Sequence, residues 1–141
     1  MTIIDLAERL KDIGIPEMDY YLHGIYGSRD DNEKHSLTIK KGKYSSEYEV
    51  YFKEKGEKCS IETFLNEDKA CRVLYERLIF DWLYSKMNEV DGIQGMTVNE
   101  RLFASGLMDI FDQYKYSDKI IARVILQMLR VDNNSIEMIV G

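Results

Sequence analysis

Residues 47–54 read Glu-Tyr-Glu-Val-Tyr-Phe-Lys-Glu, and this alternation decides the fold of the N-terminal part of the chain. Successive side chains of a β-strand point to opposite faces of the sheet, so one set of alternate residues predicts core and the other predicts an exposed surface. The core set is Tyr48, Val50 and Phe52. The exposed set is Glu47, Glu49, Tyr51 and Lys53.

Three further strands are predicted around this one, at residues 19–26, 35–41 and 58–64. Each combines Tyr, Ile, Val or Thr with flanking turn residues, which is typical of strands. A polar turn cluster occupies residues 27–32, and Gly56 makes a tight turn. Short connections favour antiparallel neighbours, so we expect a four-stranded antiparallel sheet.

Helical periodicity flanks the predicted sheet on both sides. Residues 3–13 carry apolar side chains at three- and four-residue spacing, and Gly14 then supplies a C-terminal stop. Residues 67–87 repeat the pattern after Asn66, which can cap the helix. The predicted fold class is α+β, with an N-terminal helix and a long helix packed across the sheet.

The C-terminal third begins with a helix-start signature. Thr97 can accept a hydrogen bond from the backbone N–H of Glu100, whose carboxylate can reach back to the N–H of Thr97, as in a capping box. Helices are predicted at residues 98–114 and 118–131, followed by a last turn from Asn134. This third of the chain is therefore predicted to be a helical hairpin.

Residues 88–96 are the one stretch with the composition of an internal linker. They divide the chain into a predicted sheet-and-helix unit, residues 1–90, and a small helical unit, residues 91–141. The second unit has too few residues to hold a core alone, so we expect it to dock on the first within one structural domain.

Charge and hydropathy restrict the classes of partner. The 141 residues include 19 basic and 25 acidic side chains, a net charge of −6, which disfavours a nucleic-acid groove and a polybasic membrane contact. No apolar run reaches the ~20 residues of a membrane span, and the N-terminus lacks the features of a signal peptide. We expect a cytoplasmic protein whose partner is a basic protein.

Candidate catalytic residues are few. The chain has two histidines, His23 and His35, and two cysteines, Cys59 and Cys71, with no zinc or redox spacing, so we expect no metal and no cofactor. The histidines could pair across neighbouring strands as general acid and base of a metal-independent enzyme. Packing already explains the alternation of both strands, so ordinary strand histidines are the favoured interpretation and we do not expect an enzyme.

Tyrosine is unusually frequent, with 10 residues, and several lie in the predicted sheet beside acidic side chains. An exposed tyrosine offers a large apolar body with one hydroxyl, which favours protein interfaces. The alternative is that these tyrosines are strand formers covered by Lys and Arg stems. The predicted partner-binding residues are Asp30, Asp31, Glu47, Glu49 and Tyr51.

Two blocks of the sequence resemble small bacterial immunity proteins, which are encoded beside contact-dependent growth inhibition systems and related polymorphic toxins. The first block consists of YEVYF at residues 48–52, EKGEK at 54–58 and NEDKAC at 66–71, and it is similar to a sheet-to-helix unit of that group. The second is TVNERLFASGLMDIFD at residues 97–112, continuing to Ile125, Leu126 and Val131.

The resemblance implies a role rather than an interface, because such families share a scaffold while each member neutralises a different toxin. It implies binding to the C-terminal domain of a cognate toxin, whose active site or substrate groove is blocked. The net acidity of the chain favours a basic nuclease as that toxin. Two alternatives stay open: a small metal-independent enzyme that uses His23 or His35, and a regulatory or assembly subunit.

Overall fold

The computed structural model describes every residue from Met1 to Gly141. The N-terminal elements are α1 (Ile3–Ile13), a 3-10 turn (Glu17–Asp19), β1 (Tyr20–Leu22), β2 (Tyr26–Gly27), β3 (His35–Lys41), β4 (Ser46–Glu54), β5 (Glu57–Phe64) and α2 (Glu67–Tyr84). A second 3-10 turn (Ile93–Gly95) precedes α3 (Val98–Ser105), α4 (Met108–Tyr114), α5 (Lys119–Met128) and α6 (Asn133–Val140). The α+β class is confirmed.

The contacts within the chain cluster into two compact units, Met1–Leu78 and Ile79–Gly141, so the division falls inside the α2 segment of the sequence. The sequence pattern placed its boundary at residues 90 and 91, on the composition of the linker. That boundary and the docking of one part on the other stay predictions.

Helix α1 has the predicted bounds, and local hydrogen bonds explain both ends. Thr2 Oγ1 accepts from the backbone N–H of Asp5 at 3.2 Å, while the Asp5 carboxylate accepts from the N–H of Thr2 at 2.9 Å, which completes a capping box. Gly14 ends the helix in the left-handed conformation with φ +92°. The buried side chains of α1 are Ile3, Leu6 and Leu10.

The sheet has five strands in the order β2-β1-β3-β4-β5, so the prediction of four antiparallel strands is wrong in number and in direction. The strand predicted over residues 19–26 is two short strands, because His23 at φ +52° and Gly24 at φ +71° turn the chain back on itself. β2 then pairs antiparallel with β1, whereas β1 runs parallel to β3.

The two long strand pairs follow the prediction closely. β3 and β4 are antiparallel in uninterrupted register from His35 opposite Phe52 to Lys41 opposite Ser46. β5 completes the sheet antiparallel to β4, with a register shift between Val50 and Phe52. Residues that share a row of this register also share a face, which determines the neighbours of each side chain below.

One face of the sheet contributes to the core of the first unit. Its fully buried apolar side chains include Leu22, Leu37 and Val50, which face one another across β1, β3 and β4. Buried residues of α1 and of the first part of α2 supply the rest of the apolar interior: Leu6, Leu10, Ala70, Cys71, Leu74 and Leu78. The opposite face of the sheet carries the polar residues.

The second unit contains four short helices rather than the predicted hairpin. The helix predicted over residues 98–114 breaks at Gly106, whose φ of +77° ends α3, and α4 starts two residues later. The capping box of Thr97 and Glu100 is confirmed. Helix α5 supplies five of the buried apolar residues of this unit: Ile121, Ala122, Val124, Ile125 and Leu126.

Candidate partner-binding surface

The cross-strand register collects polar side chains on the second face of the sheet. Ser36 of β3 lies between Tyr21 of β1 and Tyr51 of β4 in one row, and Thr38 lies opposite Glu49 in the next. We use the name polar sheet face for the side chains of Ser36, Thr38, Lys40, Glu47, Glu49, Tyr51, Lys53 and Lys58.

Tyr51 is buried on this face, with only 1% of its surface exposed, so the expectation that it is exposed is wrong. Its hydroxyl donates a 2.6 Å hydrogen bond to Oδ2 of Asp31, and Nζ of Lys58 lies 4.6 Å from the centre of its ring. Burial raises the pKa of Tyr51 strongly, and the Asp31 carboxylate raises it further. The phenol therefore stays protonated and available as a hydrogen-bond donor.

Asp31 belongs to the loop between β2 and β3, and this loop contacts Tyr51 at its hydroxyl. Besides the Tyr51 hydroxyl, the Asp31 carboxylate accepts a 3.2 Å hydrogen bond from Lys53 through Oδ1. Burial by itself would raise the pKa of Asp31, but the hydrogen bonds from Tyr51 and Lys53 outweigh it and lower the pKa below its ordinary value. Asp31 is therefore a charged anchor for the loop.

Glu49 is also buried, with 7% of its surface exposed, and it is paired with two lysines. Lys40 donates to one carboxylate oxygen at 2.8 Å and Lys58 donates to the other at 2.6 Å. The hydrogen bond from Lys40, and then that from Lys58, lowers the pKa of Glu49. Its negative charge is neutralised within the chain instead of being presented to solvent.

The other two predicted contact residues are exposed. Glu47 lies near the start of β4, opposite Lys40 in the register, and Asp30 lies in the loop with one oxygen 3.6 Å from Lys34. The structure thus brings Asp31, Glu49 and Tyr51 together on one face but buries two of them, and it leaves Glu47 and Asp30 accessible to a partner.

The lysines of the polar sheet face were missed as site residues. Lys40, Lys53 and Lys58 outnumber the two carboxylates that they contact, so this face is not a net acidic patch. The alternation of β4 already contained one signal, since Lys53 follows Tyr51 at the two-residue spacing of one strand face. The positions of Lys40 and Lys58 depend on the pairing of β3 and β5 with β4.

The two histidines lie apart, His23 in the turn between β1 and β2 and His35 at the start of β3. His23 accepts a 3.0 Å hydrogen bond through Nδ1 from the backbone N–H of Ile39, whereas the His35 ring packs edge-on against Phe52 with 5.0 Å between ring centres. Ile39 follows His35 by four residues along β3, a separation of about 13 Å in an extended strand. The rings are therefore not positioned to act on one proton.

The remaining reactive groups have structural surroundings. Cys71 is buried, and burial raises the pKa of its thiol to about 12, which keeps it protonated and unreactive at neutral pH. Cys59 is half-buried. No group of three or more His, Cys, Asp or Glu side chains is arranged to hold a metal ion. None of the helices combines the length and the apolar character that crossing a membrane requires.

No protein-family model, no curated protein and no solved structure matches this chain. The features of this chain that bear on function are its side-chain chemistry, its net charge and the sequence blocks at residues 48–71 and 97–131.

Proposed function

We propose that this protein is an immunity protein: a non-enzymatic inhibitor that binds the C-terminal domain of a cognate bacterial toxin and blocks its active site or substrate groove. The observation that carries the proposal is the pair of sequence blocks at residues 48–71 and 97–131 that resemble such proteins. Both blocks lie on ordered elements, the first on β4, β5 and the start of α2, and the second on α3 to α5.

Charge supports a basic partner and, within this class, a nuclease. A nuclease groove is positively charged because it binds phosphates, so an inhibitor with net charge −6 is steered toward it and gains association rate. Because the lysines of the polar sheet face neutralise Asp31 and Glu49, the net negative charge of the chain comes from residues elsewhere. The accessible carboxylates, including Glu47 and Asp30, are the ones available to a partner.

The proposal includes a cytoplasmic location, where an incoming nuclease would reach its substrate, and it includes neither a nucleic-acid nor a membrane partner. It also requires no cofactor, since the inhibitor acts by occupying a surface of the toxin. These expectations are parts of the same proposal and fail if it fails.

Co-purification tests the proposal directly. The tagged protein is co-expressed with the C-terminal toxin region encoded immediately upstream of its gene, and growth is followed with and without the inhibitor. We expect a stoichiometric complex and restored growth, while a toxin region from an unrelated locus serves as the control and gives neither. Absence of an upstream toxin gene, or of a complex, would remove the main support for immunity.

Binding should also raise stability. A partner that binds only the folded state raises the free energy of unfolding by about 4 kcal/mol at a thousandfold excess over its dissociation constant. The melting temperature of the protein should therefore increase on addition of a catalytically inactive toxin domain, which separates binding from toxicity.

A further inference from the structure

A cleft of about 240 Å³ lies beside α1 and combines apolar, aromatic and charged residues in its lining. Helix α1, the first 3-10 turn and the β1–β2 hairpin, all within the first unit, supply Ile4, Glu8, Lys11, Glu17, Tyr20 and Tyr26. Small-molecule sites usually measure ~300–1,000 Å³. The volume of this cleft is therefore better suited to one long side chain than to a drug-sized ligand.

The charged residues of the cleft leave an excess of negative charge. Glu8 and Glu17 are both exposed, and neither carboxylate forms a hydrogen bond or an ion pair within the chain. Lys11 contributes one positive charge to the same lining, so a single carboxylate remains uncompensated even if Lys11 pairs with the other. The cleft is therefore complementary to a cation.

Tyr20 supplies an independent indication of a ligand. Only 2% of its surface is exposed, its side chain packs against Gly27, and its hydroxyl makes no hydrogen bond within the chain. Burial raises the pKa of Tyr20, and the nearby Glu17 carboxylate raises it further. The hydroxyl oxygen is not sealed from solvent, so a donor from a ligand in the cleft could take the place of water as its hydrogen-bond partner.

We propose that this cleft receives an arginine side chain of the basic protein partner. The guanidinium donates hydrogen bonds to the carboxylates of Glu8 and Glu17 and to the hydroxyl oxygen of Tyr20, while Ile4 and the ring of Tyr26 cover its apolar stem and planar face. The identity of the partner rests on the proposed function, whereas the chemistry of the cleft does not.

Arginine fits this lining better than lysine because of its shape and its donors. The guanidinium is planar, presents five N–H donors in a fixed fork, stacks on aromatic rings and is more weakly hydrated than an ammonium group. Two carboxylates and a phenol oxygen line the same cleft and offer acceptors to such a fork. A lysine ammonium also has three donors, but it has no planar face for the ring of Tyr26 to cover.

Affinity for the cognate toxin domain is the first test, measured with the wild type, with the double variant Glu8→Gln/Glu17→Gln and with the matched control Glu89→Gln/Asp91→Asn. The control removes the same two charges from exposed residues of the second unit that form no ion pair. We expect the cleft variant to bind at least about tenfold more weakly and the control to bind like the wild type. Equal binding by all three proteins overturns the proposal that the cleft receives an arginine, and it leaves the proposed function intact.

A second measurement separates the two proposals. The wild type is titrated with N-acetyl-arginine methylamide and, as a neutral control, with the citrulline analogue, while the ring resonances of Tyr20 and Tyr26 are followed by NMR. Selective shifts with the arginine probe, lost in Glu8→Gln/Glu17→Gln, support the cleft even if the wild type binds no toxin and the immunity proposal fails. No shift, or equal shifts with both probes, overturns it.

Discussion

The hydroxyl of Tyr51 donates a 2.6 Å hydrogen bond to Asp31, a residue 20 positions earlier in the chain. This bond, together with the 3.2 Å contact between Lys53 and the same carboxylate, holds the β2–β3 loop over the polar sheet face. Charge-assisted hydrogen bonds of this kind are stronger than neutral ones. Tyr51 and Glu49, two residues of a strand face expected to be exposed, are consequently buried.

Two tyrosine-to-phenylalanine substitutions should differ in their effect on stability. Tyr51→Phe removes the donor to a charged, partly buried carboxylate, and we expect it to lower the free energy of unfolding by about 1.5–3 kcal/mol. Tyr20→Phe removes a hydroxyl without a partner and should change it by less than about 0.5 kcal/mol. Urea unfolding of both variants measures the difference, and equal losses would contradict the hydrogen-bond assignment.

Acid should destabilise the protein through Asp31 and Glu49. Both pKa values are lowered in the folded state from ordinary values of 3.8 and 4.5, so both carboxylates stabilise the fold above those values. That contribution is lost as pH falls through the lowered folded pKa values, because the unfolded chain binds protons first. The free energy of unfolding should decrease below about pH 4.5.

Neutral variants identify the source of this pH dependence. Asp31→Asn and Glu49→Gln should each be less stable than the wild type at neutral pH and should show a flatter decline on acidification, as followed by urea unfolding at a series of pH values. Asp112→Asn, at an exposed residue, is the control and should retain the wild-type slope. If stability declines with the same slope in all variants, neither carboxylate is the source of the acid sensitivity.

Alanine substitutions at Gly27 and Gly56 should distinguish the cost of backbone strain from the cost of steric overlap. Both have a left-handed conformation, with φ of +78° and +81°, so alanine at either position costs about 1 kcal/mol in strain. A Cβ at Gly27 would also lie 2.4 Å from the carbonyl oxygen of Tyr20, while nothing lies within 4 Å of one at Gly56. Gly27→Ala should therefore cost about 3 kcal/mol or more in denaturant unfolding, and equal costs would be inconsistent with this packing.

The capping box of α3 should contribute measurably to stability. Thr97 Oγ1 accepts from the N–H of Glu100 at 3.2 Å, and Glu100 accepts from the N–H of Thr97 at 3.3 Å. Thr97→Ala should reduce the free energy of unfolding by about 1 kcal/mol, whereas Thr97→Ser keeps the acceptor and should be close to the wild type. Chemical denaturation of the three proteins tests this, and a neutral alanine variant would argue against the cap.

Charge reversal at the accessible acidic residues tests the predicted contact surface. Glu47→Lys and Asp30→Lys should weaken toxin binding, with a larger effect at low salt, because exposed charges are screened by ions. Glu49→Lys is less informative, since it also breaks two internal ion pairs. Asp109→Lys, on the exposed surface of α4, is the control. Affinities that do not change at low salt would exclude this surface.

Local sequence predicted the elements whose determinants lie within a few residues. The bounds of α1 and β3 and the capping box at Thr97 follow from spacing and from side chains that bind the adjacent backbone. The break between α3 and α4 was missed although Gly106 is visible in the sequence, because the apolar periodicity continues through it. A left-handed glycine ends a helix whatever the pattern of its neighbours.

Local sequence did not predict the path of the chain between β1 and β3. His23 adopts φ +52°, a conformation that non-glycine residues enter only when the surroundings favour it, and here its backbone N–H donates to Leu37 while its ring accepts from Ile39. Both partners belong to another strand. The hairpin and the parallel pairing therefore depend on contacts that no local pattern contains.

By itself, the sequence determined the α+β class, the net charge and the face of β4 on which Glu49, Tyr51 and Lys53 lie, because alternation dictates the direction of each side chain. Only the tertiary structure decided that Tyr51 and Glu49 are buried. Their cover comes from the loop at Asp31 and from lysines on β3 and β5, residues distant in sequence. A two-residue period specifies a face but not what lies over it, since burial depends on which other segments fold against that face.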